Sequence, residues 1–412
     1  MLCQSCMRVH YEYFRLGVMG KKVKKKVPDL RFAEFEEELK LTYLGKVLDF
    51  KNGINADKSK YGKGYKFINV LDIINDAPIY YKTILGSVGI TEQEFLKNDV
   101  QYGDILFQRS SEVREEAGQS NIYLDREKNA TFGGFIIRGR PKVRFDPIYF
   151  NYLLKTRFIR KEITDRSGGS TRFNVGQNSL SEVPVFISDS LEEQEKIASF
   201  LSAIDARINK LRRKRELLQT YKRGVIQKLF SQQIRFKQDD GSDFPDWEEK
   251  KLGQIVKPVI REVNKPTQSY LAIGIKSHMK GTFQKPNSDP DKIAMQKLYI
   301  VHKNDLIVNI TFAWEGAIAI ASEQAHGGLV SHRFPTYKIR KEESLPEFIQ
   351  HLIKQERIKY TLGLISPGGA GRNRVLNKKD FLSLKFYMPH LKEQEKIANF
   401  LTSIDRKLEV VS

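Results

Sequence analysis

Cysteine is almost absent from this 412-residue chain: there are two, Cys3 and Cys6. A disulfide framework is therefore excluded beyond one trivial loop. The CQSC stretch has no second pair to finish a four-ligand zinc site, and only His10 lies nearby, so no metal site is expected. Long apolar runs are missing too. Nothing approaches a membrane span, and residues 1–20 lack the unbroken apolar core of a signal peptide, which makes cytoplasmic residence the expectation. Three catalytic signatures are also lacking. There is no GxxxxGK[ST] loop, so ATP use by this chain is not expected. The string closest to an adenine-methyltransferase [N/D]PP[Y/F] clamp, DPIY at 146–149, lacks the second proline. The nuclease-like strings PDLRFAEFEEELK (28–40) and PDWEEKK (245–251) have short gaps and read as polar connectors. A metal-dependent nuclease would need such carboxylates on adjacent strands in one pocket.

Acidic residues are outnumbered: 50 Asp+Glu face 70 Lys+Arg, a net charge of +20. A surplus of that size points to a polyanion partner, nucleic acid first. With 40% apolar and 29% charged residues the chain is a folded one, long enough for two or three cores. Residues 1–27 read as a basic tail outside any core. Met19 is a candidate natural start, and KKVKKKVP (21–28) is either a phosphate-touching arm or a solvated one.

What the sequence does contain is a repeat. LEEQEKIASFLSAIDARIN (191–209) returns as LKEQEKIANFLTSIDRKLE (391–409), identical at 11 of 19 positions at an offset of 200. Ile197, Leu201, Ile204, Ile208 and Leu211 step by 4, 3, 4, 3, the seam spacing of a coiled coil, and Ile397, Leu401, Ile404 and Leu408 repeat it. Asp189 or Ser190 can cap the first helix, with Glu192, Glu193 and Glu195 favoured in its first turns by the helix dipole. That helix continues without proline to about Phe230, roughly 60 Å at ~1.5 Å per residue, and a rod with an apolar stripe needs a covering helix. The two copies are expected to pack on each other.

The repetition extends upstream. SGGSTRFNV (167–175) faces SPGGAGRNRV (366–375), QYGDILF (101–107) faces HKNDLIV (302–308), and LRF (30–32) with LGKV (44–47) faces IRF (234–236) with LGQI (252–255). Each half runs in the same order: a lead-in, strand-rich sequence, a glycine–arginine loop, then the helix. Between these landmarks the halves differ, as two readers on one scaffold would.

The order and spacing resemble the specificity (S) subunit of type I restriction–modification enzymes. The carriers are the doubled LxEQEKIAxFLxxID helix starts, GDILFQRSSEVREEAG (103–118) with GGFIIRGRP (133–141), and NITFAWEGAIAIA (309–321) with GGLVSHRF (327–334). The resemblance implies an α+β fold: two α/β-type target-recognition domains joined by long conserved helices packing as an antiparallel coiled coil, with a pseudo-two-fold repeat. The domains fall at 28–187 and 232–388, with helices at 188–231 and 389–412. It also implies a subunit that does no chemistry. Two methyltransferase subunits, which bind S-adenosylmethionine, and two restriction subunits, which use ATP and Mg, would carry it, with double-stranded DNA as the target. A split target with halves about one helical turn apart is expected. The alternatives are a stand-alone nuclease or methyltransferase, an architectural DNA or RNA binder, or an inactive truncated subunit. Truncation comes into question because the second helix ends near Leu408, leaving Leu217, Leu218, Val225 and Leu229 of the first without a counterpart. Those four are expected to lack an intramolecular partner, weakening assembly with the methyltransferase subunits.

Base reading needs forked donors and amides at loop tips; phosphate anchoring needs Lys, Arg, Ser, Thr and backbone N–H. In the first half the candidates are Arg109, Ser110, Ser111 and Arg114 after a strand. Arg138, Arg140 and Lys142 follow on one strand face, and Arg172 sits in the glycine loop. In the second they are Lys276, His278 and Lys280 around a turn, Asn309 and Thr311, then Arg333, with Arg372 and Arg374 in the glycine loop. Each has a structural alternative: ion pairing with Glu115 or Glu116, a solvated edge strand, or a plain turn. Phe312 and Trp314 read as core, and His332 as a structural histidine.

Overall fold

The computed structural model describes residues 30–75, 77–368 and 374–411. The chain forms two compact units that divide at Ile208/Asn209, inside the long helix. Cys3, Cys6, His10, Met19, the KKVKKKVP run and Arg372 lie outside the described residues.

In the first unit the strands are β1 (Lys40–Tyr43), β2 (Leu48–Asn52), β3 (Ile105–Gln108), β4 (Ser120–Ile122) and β5 (Ile136–Pro141). Helix α1 (Pro147–Leu154), strand β6 (Pro184–Ile187) and helix α2 (Leu191–Phe230) follow. The LGKV segment makes one helical turn between β1 and β2, burying Leu44 and Val47. β1 pairs antiparallel with β6, and an antiparallel sheet runs β2-β5-β3-β4. The ILFQ of β3 is buried at all four positions, as a central strand covered on both faces should be. DPIY turns out to be the start of α1: the Asp146 carboxylate accepts from the Tyr149 N–H at 2.7 Å, and Pro147 takes the first helical position.

The second unit repeats this plan. Its elements are β7 (Glu248–Lys251), β8 (Val256–Val259), β9 (Leu306–Val308), β10 (Ile318–Ile320), β11 (Thr336–Ile339), α3 (Pro346–Leu352), α4 (Glu356–Leu364), β12 (Lys385–Met388) and α5 (Leu391–Val410). β7 pairs with β12, and the sheet order is β8-β11-β9-β10, again antiparallel. The expected turn-then-strand is the same object in both units. Asp104 accepts from the Gln101 N–H and Asp305 from the His302 N–H, at 2.8 and 2.9 Å, immediately before β3 and β9.

The repeated Glu-Gln of the helix starts is spent on folding. Glu193 is 1% exposed and takes a two-pronged contact from Arg31 of LRF; Glu393, fully buried, takes one from Arg235 of IRF at 2.8 and 3.2 Å. Trp247 Nε1 donates to the same Glu393 carboxylate at 3.1 Å. Gln194 accepts from the Asp146 N–H at 2.7 Å and Gln394 from the Leu345 N–H at 3.2 Å, the residues that begin α1 and α3. Each glutamine also donates to a backbone carbonyl just ahead of its own helix, Ser188 or Pro389. The phenylalanines of LRF and IRF sit edge-on to Phe200 and Phe400.

Within the second unit the seam of α5 finds its cover on the far end of α2. Ile397, Leu401 and Ile404 are buried in one core with Val225 and Leu229, and Leu408 packs partly buried against it. Lys222 pairs with Asp405. Phe230 meets Trp247, which bonds Glu393. Moving from 222 to 230 along α2 thus follows 405 to 393 along α5, so the two stretches are antiparallel. The expectation that Val225 and Leu229 would lack a partner is therefore corrected, because an antiparallel register covers the far end of α2 first. Leu217 is 53% and Leu211 41% exposed; Leu218, Ile197, Leu201, Ile204 and Ile208 are half-buried.

His351, on α3 and 2% exposed, faces Thr402 of α5 at 3.3 Å. Burial, with Lys354 and Lys222 nearby, pushes its pKa down to about 4, against the favourable pull of Asp405. The unfolded chain takes up this proton near pH 6.5, the folded one only near 4, so stability is intact above pH 6.5 and falls through that window. At about 1.4 kcal/mol per pH unit the loss is of order 3 kcal/mol. Denaturant unfolding at pH 7 and pH 5 should differ less for His351→Gln than for the parent.

Candidate nucleic-acid interface

In each unit the chain leaves the central strand into a polar loop that two other segments hold. In the first, the Arg109 carbonyl accepts from the Val175 N–H at 2.9 Å and the Arg109 N–H donates to the Phe135 carbonyl at 2.8 Å. In the second, the Ile310 carbonyl accepts from the Leu376 N–H at 2.8 Å and the Ile310 N–H donates to the Arg333 carbonyl at 3.0 Å. The same backbone arrangement therefore carries different side chains.

Around the first loop, Ser110–Ser111 pairs with Phe173–Asn174, joining the RSS stretch to the glycine loop. Ser110 Oγ donates to Asn174 Oδ1 at 2.6 Å. Arg109 is half-buried, its Nη1 3.5 Å from the Gly134 carbonyl. Arg114 is exposed and reaches the carbonyls of Thr164 and Ser167. Arg172 is exposed, with Glu112 at 3.8 Å. Ser111 is buried and donates to Glu116, so its hydroxyl is committed inside the loop. Gly169, at φ 121°, could not carry a Cβ without striking the Arg172 carbonyl, and the Gly168 N–H bonds Asn174. In this copy the glycine pair closes a tight turn, and the Gly168 amide is not available to a phosphate.

Three first-unit candidates are placed elsewhere. Arg138 is 5% exposed and reaches Asp99, and Arg140 bonds Asp104 at 2.8 and 3.1 Å and Asp99 at 3.0 Å. Burial pushes the Asp104 carboxyl up, against the opposing pull of the arginines. They do share a strand face, but β5 is an interior strand and the face points into the protein, so both are corrected from DNA contact to structure. Lys142, exposed on the continuation of β5, donates to the Gly45 carbonyl at 2.9 Å.

The second loop gathers more of its candidates. Asn309 accepts from the Thr311 N–H at 3.1 Å, and Arg333 Nη1 reaches Thr311 Oγ1 at 3.4 Å. The KSHMKG turn docks on it through His278 N–H to Glu315 and Met279 N–H to Gly316, both 2.8 Å. His278 and Met279 adopt positive φ of 60° and 57°, a conformation side chains rarely take. Lys276, His278 and Lys280 are exposed at that turn, and Lys359 of α4 stands 3.2 Å from His278 Nδ1. Arg374 lies over the Trp314 ring at 5.2 Å and donates to the carbonyls of Gly363 and Ser366, so it holds its own loop. His332 is exposed. Asn174 and Lys359 are additional polar groups at the two faces that the sequence reading missed; the glycine loop that holds Arg172 could have flagged Asn174, whereas nothing local marked Lys359, which a helix brings from afar.

The nuclease-like strings are occupied otherwise: Asp246 pairs with Arg235 and Lys250 with Glu343. Among the described residues no cluster of His, Cys, Asp or Glu could hold a metal ion, and no helix is long and apolar enough to cross a membrane.

Comparison with known proteins decides the family. The type I restriction modification DNA specificity domain matches residues 10–219 and again 245–411. The chain belongs to that family. It is a specificity subunit of a type I restriction–modification system, with one recognition domain per unit. Relatives from Methanocaldococcus jannaschii include the putative type I restriction enzyme MjaX specificity subunit, 28% identical over 92% of this chain and 89% of its own. The MjaVIII specificity subunit is 23% identical over 78% and 76%. Among solved structures, the type I restriction–modification S subunit from M. genitalium shares the fold, with a TM-score of 0.54 at 16% identity over 92% of both chains. The α+β architecture of the specificity subunit is thus that of its relatives.

Proposed function

We propose that this specificity subunit is non-catalytic and reads a split DNA target, each recognition domain engaging one half through the loop that follows its central strand. The observation that carries the reading is the shared backbone arrangement around Arg109 and Ile310, on which the two units mount different exposed polar side chains. Two methyltransferase and two restriction subunits supply the chemistry, and S-adenosylmethionine, ATP and Mg belong to them. The cytoplasm, where the DNA is, is the place of action.

Two kinds of substitution separate the roles. Arg172→Ala and Lys280→Ala, at exposed positions, should weaken binding evenly across sequences and reduce the salt slope by about one each. Arg109→Ala and Arg333→Ala should cost about 1–3 kcal/mol on the cognate site and relax preference there. Filter or fluorescence binding of the assembled complex from about 50 to 200 mM salt measures both. The purified chain alone, given Mg or S-adenosylmethionine, should neither cut nor methylate DNA; either activity would favour the enzyme reading.

A further inference from the structure

Beside Arg109 lies a corner of the first recognition domain that the sequence did not mark. Gly53 and Ile54 are fixed by hydrogen bonds to Ile136 and Phe132, at 3.2 and 3.0 Å, and Ile54 bridges to Gly133. The chain then presents Asn55, exposed, with its amide unbonded among the described residues. The amide approaches Gly134 oxygen first: a Cβ there would stand 1.7 Å from Asn55 Oδ1. Gly134 is not among the residues with positive φ, and a side chain there would displace the Asn55 amide rather than strain the backbone. Its carbonyl faces Arg109. The next residue, Phe135, is 61% exposed, and its carbonyl receives the Arg109 N–H. Through the equivalent bond, Phe135 occupies the position that Arg333 holds in the second domain. The first domain thus puts an exposed apolar ring beside Arg109 where the other domain puts a cation.

We propose that Asn55 and Phe135, on either side of Gly134, are base-reading residues of the first recognition domain, the amide engaging an adenine edge and the ring a thymine methyl. Asparagine pairs with N6 and N7 of adenine as a planar fork, and phenylalanine is one of the side chains that meet the thymine methyl in the major groove. Arg109 would then be the charged member of the same patch. The inference rests on the proposed reading of the loop and adds to it the type of base pair contacted.

The test uses the full chain assembled with its methyltransferase subunits and a duplex library randomised across the target, sequencing what is bound. Asn55→Ala should lose about tenfold preference for adenine at one position in one half of the motif, leaving the other half unchanged. Gly134→Ala should do the same by displacing the amide, and adding it to Asn55→Ala should change nothing further. With deoxyuridine replacing thymidine, the parent should lose preference at one position and Phe135→Ala should not. An unchanged motif for Asn55→Ala and Phe135→Ala overturns the proposal. Arg109→Ala tells the two failures apart: if it alone alters the motif, the loop still reads DNA, and if it too does nothing, the reading of the loop falls as well.

Discussion

Glu393→Ala is expected to destabilise the second unit by about 3 kcal/mol, lowering its melting temperature by roughly 6–12 °C. The carboxylate is fully buried and meets three donors: Arg235 Nε, Arg235 Nη2 and Trp247 Nε1. Removing it leaves a guanidinium and an indole N–H facing a void. Breaking a buried pair costs ~3–5 kcal/mol because the surviving charge is uncompensated. The lower end applies here, since the Arg235 side chain is 22% exposed and recovers some water. Glu193→Ala in the first unit loses the pairing with Arg31, whose side chain is 8% exposed. Burial alone would raise the Glu193 pKa, but bonds from Arg31 and Ser188 outweigh it and hold the group below the usual carboxylate range. Its contribution is therefore complete above the unfolded value near about 4.3 and is lost as pH falls through the depressed one. Thermal melts of both variants at pH 7 check this, and a shift under about 2 °C for Glu393→Ala would rule the clamp out as a main support.

Those two glutamates also mark the limit of what the sequence reveals. The doubled helix start was plain because identical residues at a fixed offset need no geometry to be seen, and the shared order of landmarks in the two halves was legible in the same way. The reason for the repetition was hidden. LRF and IRF lie some 160 residues before the glutamates they hold, and no local pattern links an arginine to a carboxylate at that distance. Arg138 and Arg140 misled for a related reason: alternation tells which residues share a strand face, not whether that face meets water or Asp99 and Asp104. The polar loops after the central strands were legible because loop-tip arginines and serines follow buried apolar runs. Asn55 was not, since an isolated asparagine acquires meaning only from Gly134, 79 residues on.

Leu401→Ala and Leu229→Ala should each cost about 2–5 kcal/mol, while Leu217→Ala stays within about 0.5. Leu401 is fully buried and Leu229 2% exposed, in one core, whereas Leu217 is 53% exposed although it belongs to the same amphipathic helix as Leu229. Truncating a buried leucine loses both its transfer free energy and the contacts around the cavity it leaves. Because the antiparallel register puts both leucines in one core, the double variant should lose less than the sum of the two, as one enlarged cavity collapses more readily than two separate ones. Lys222→Ala, which removes the partner of Asp405, should couple to neither beyond a few tenths of a kcal/mol, as an ion pair at the rim of the seam. Urea unfolding of these variants and the parent supplies the cycle. Strict additivity of Leu229→Ala with Leu401→Ala would instead exclude a shared cavity between α2 and α5.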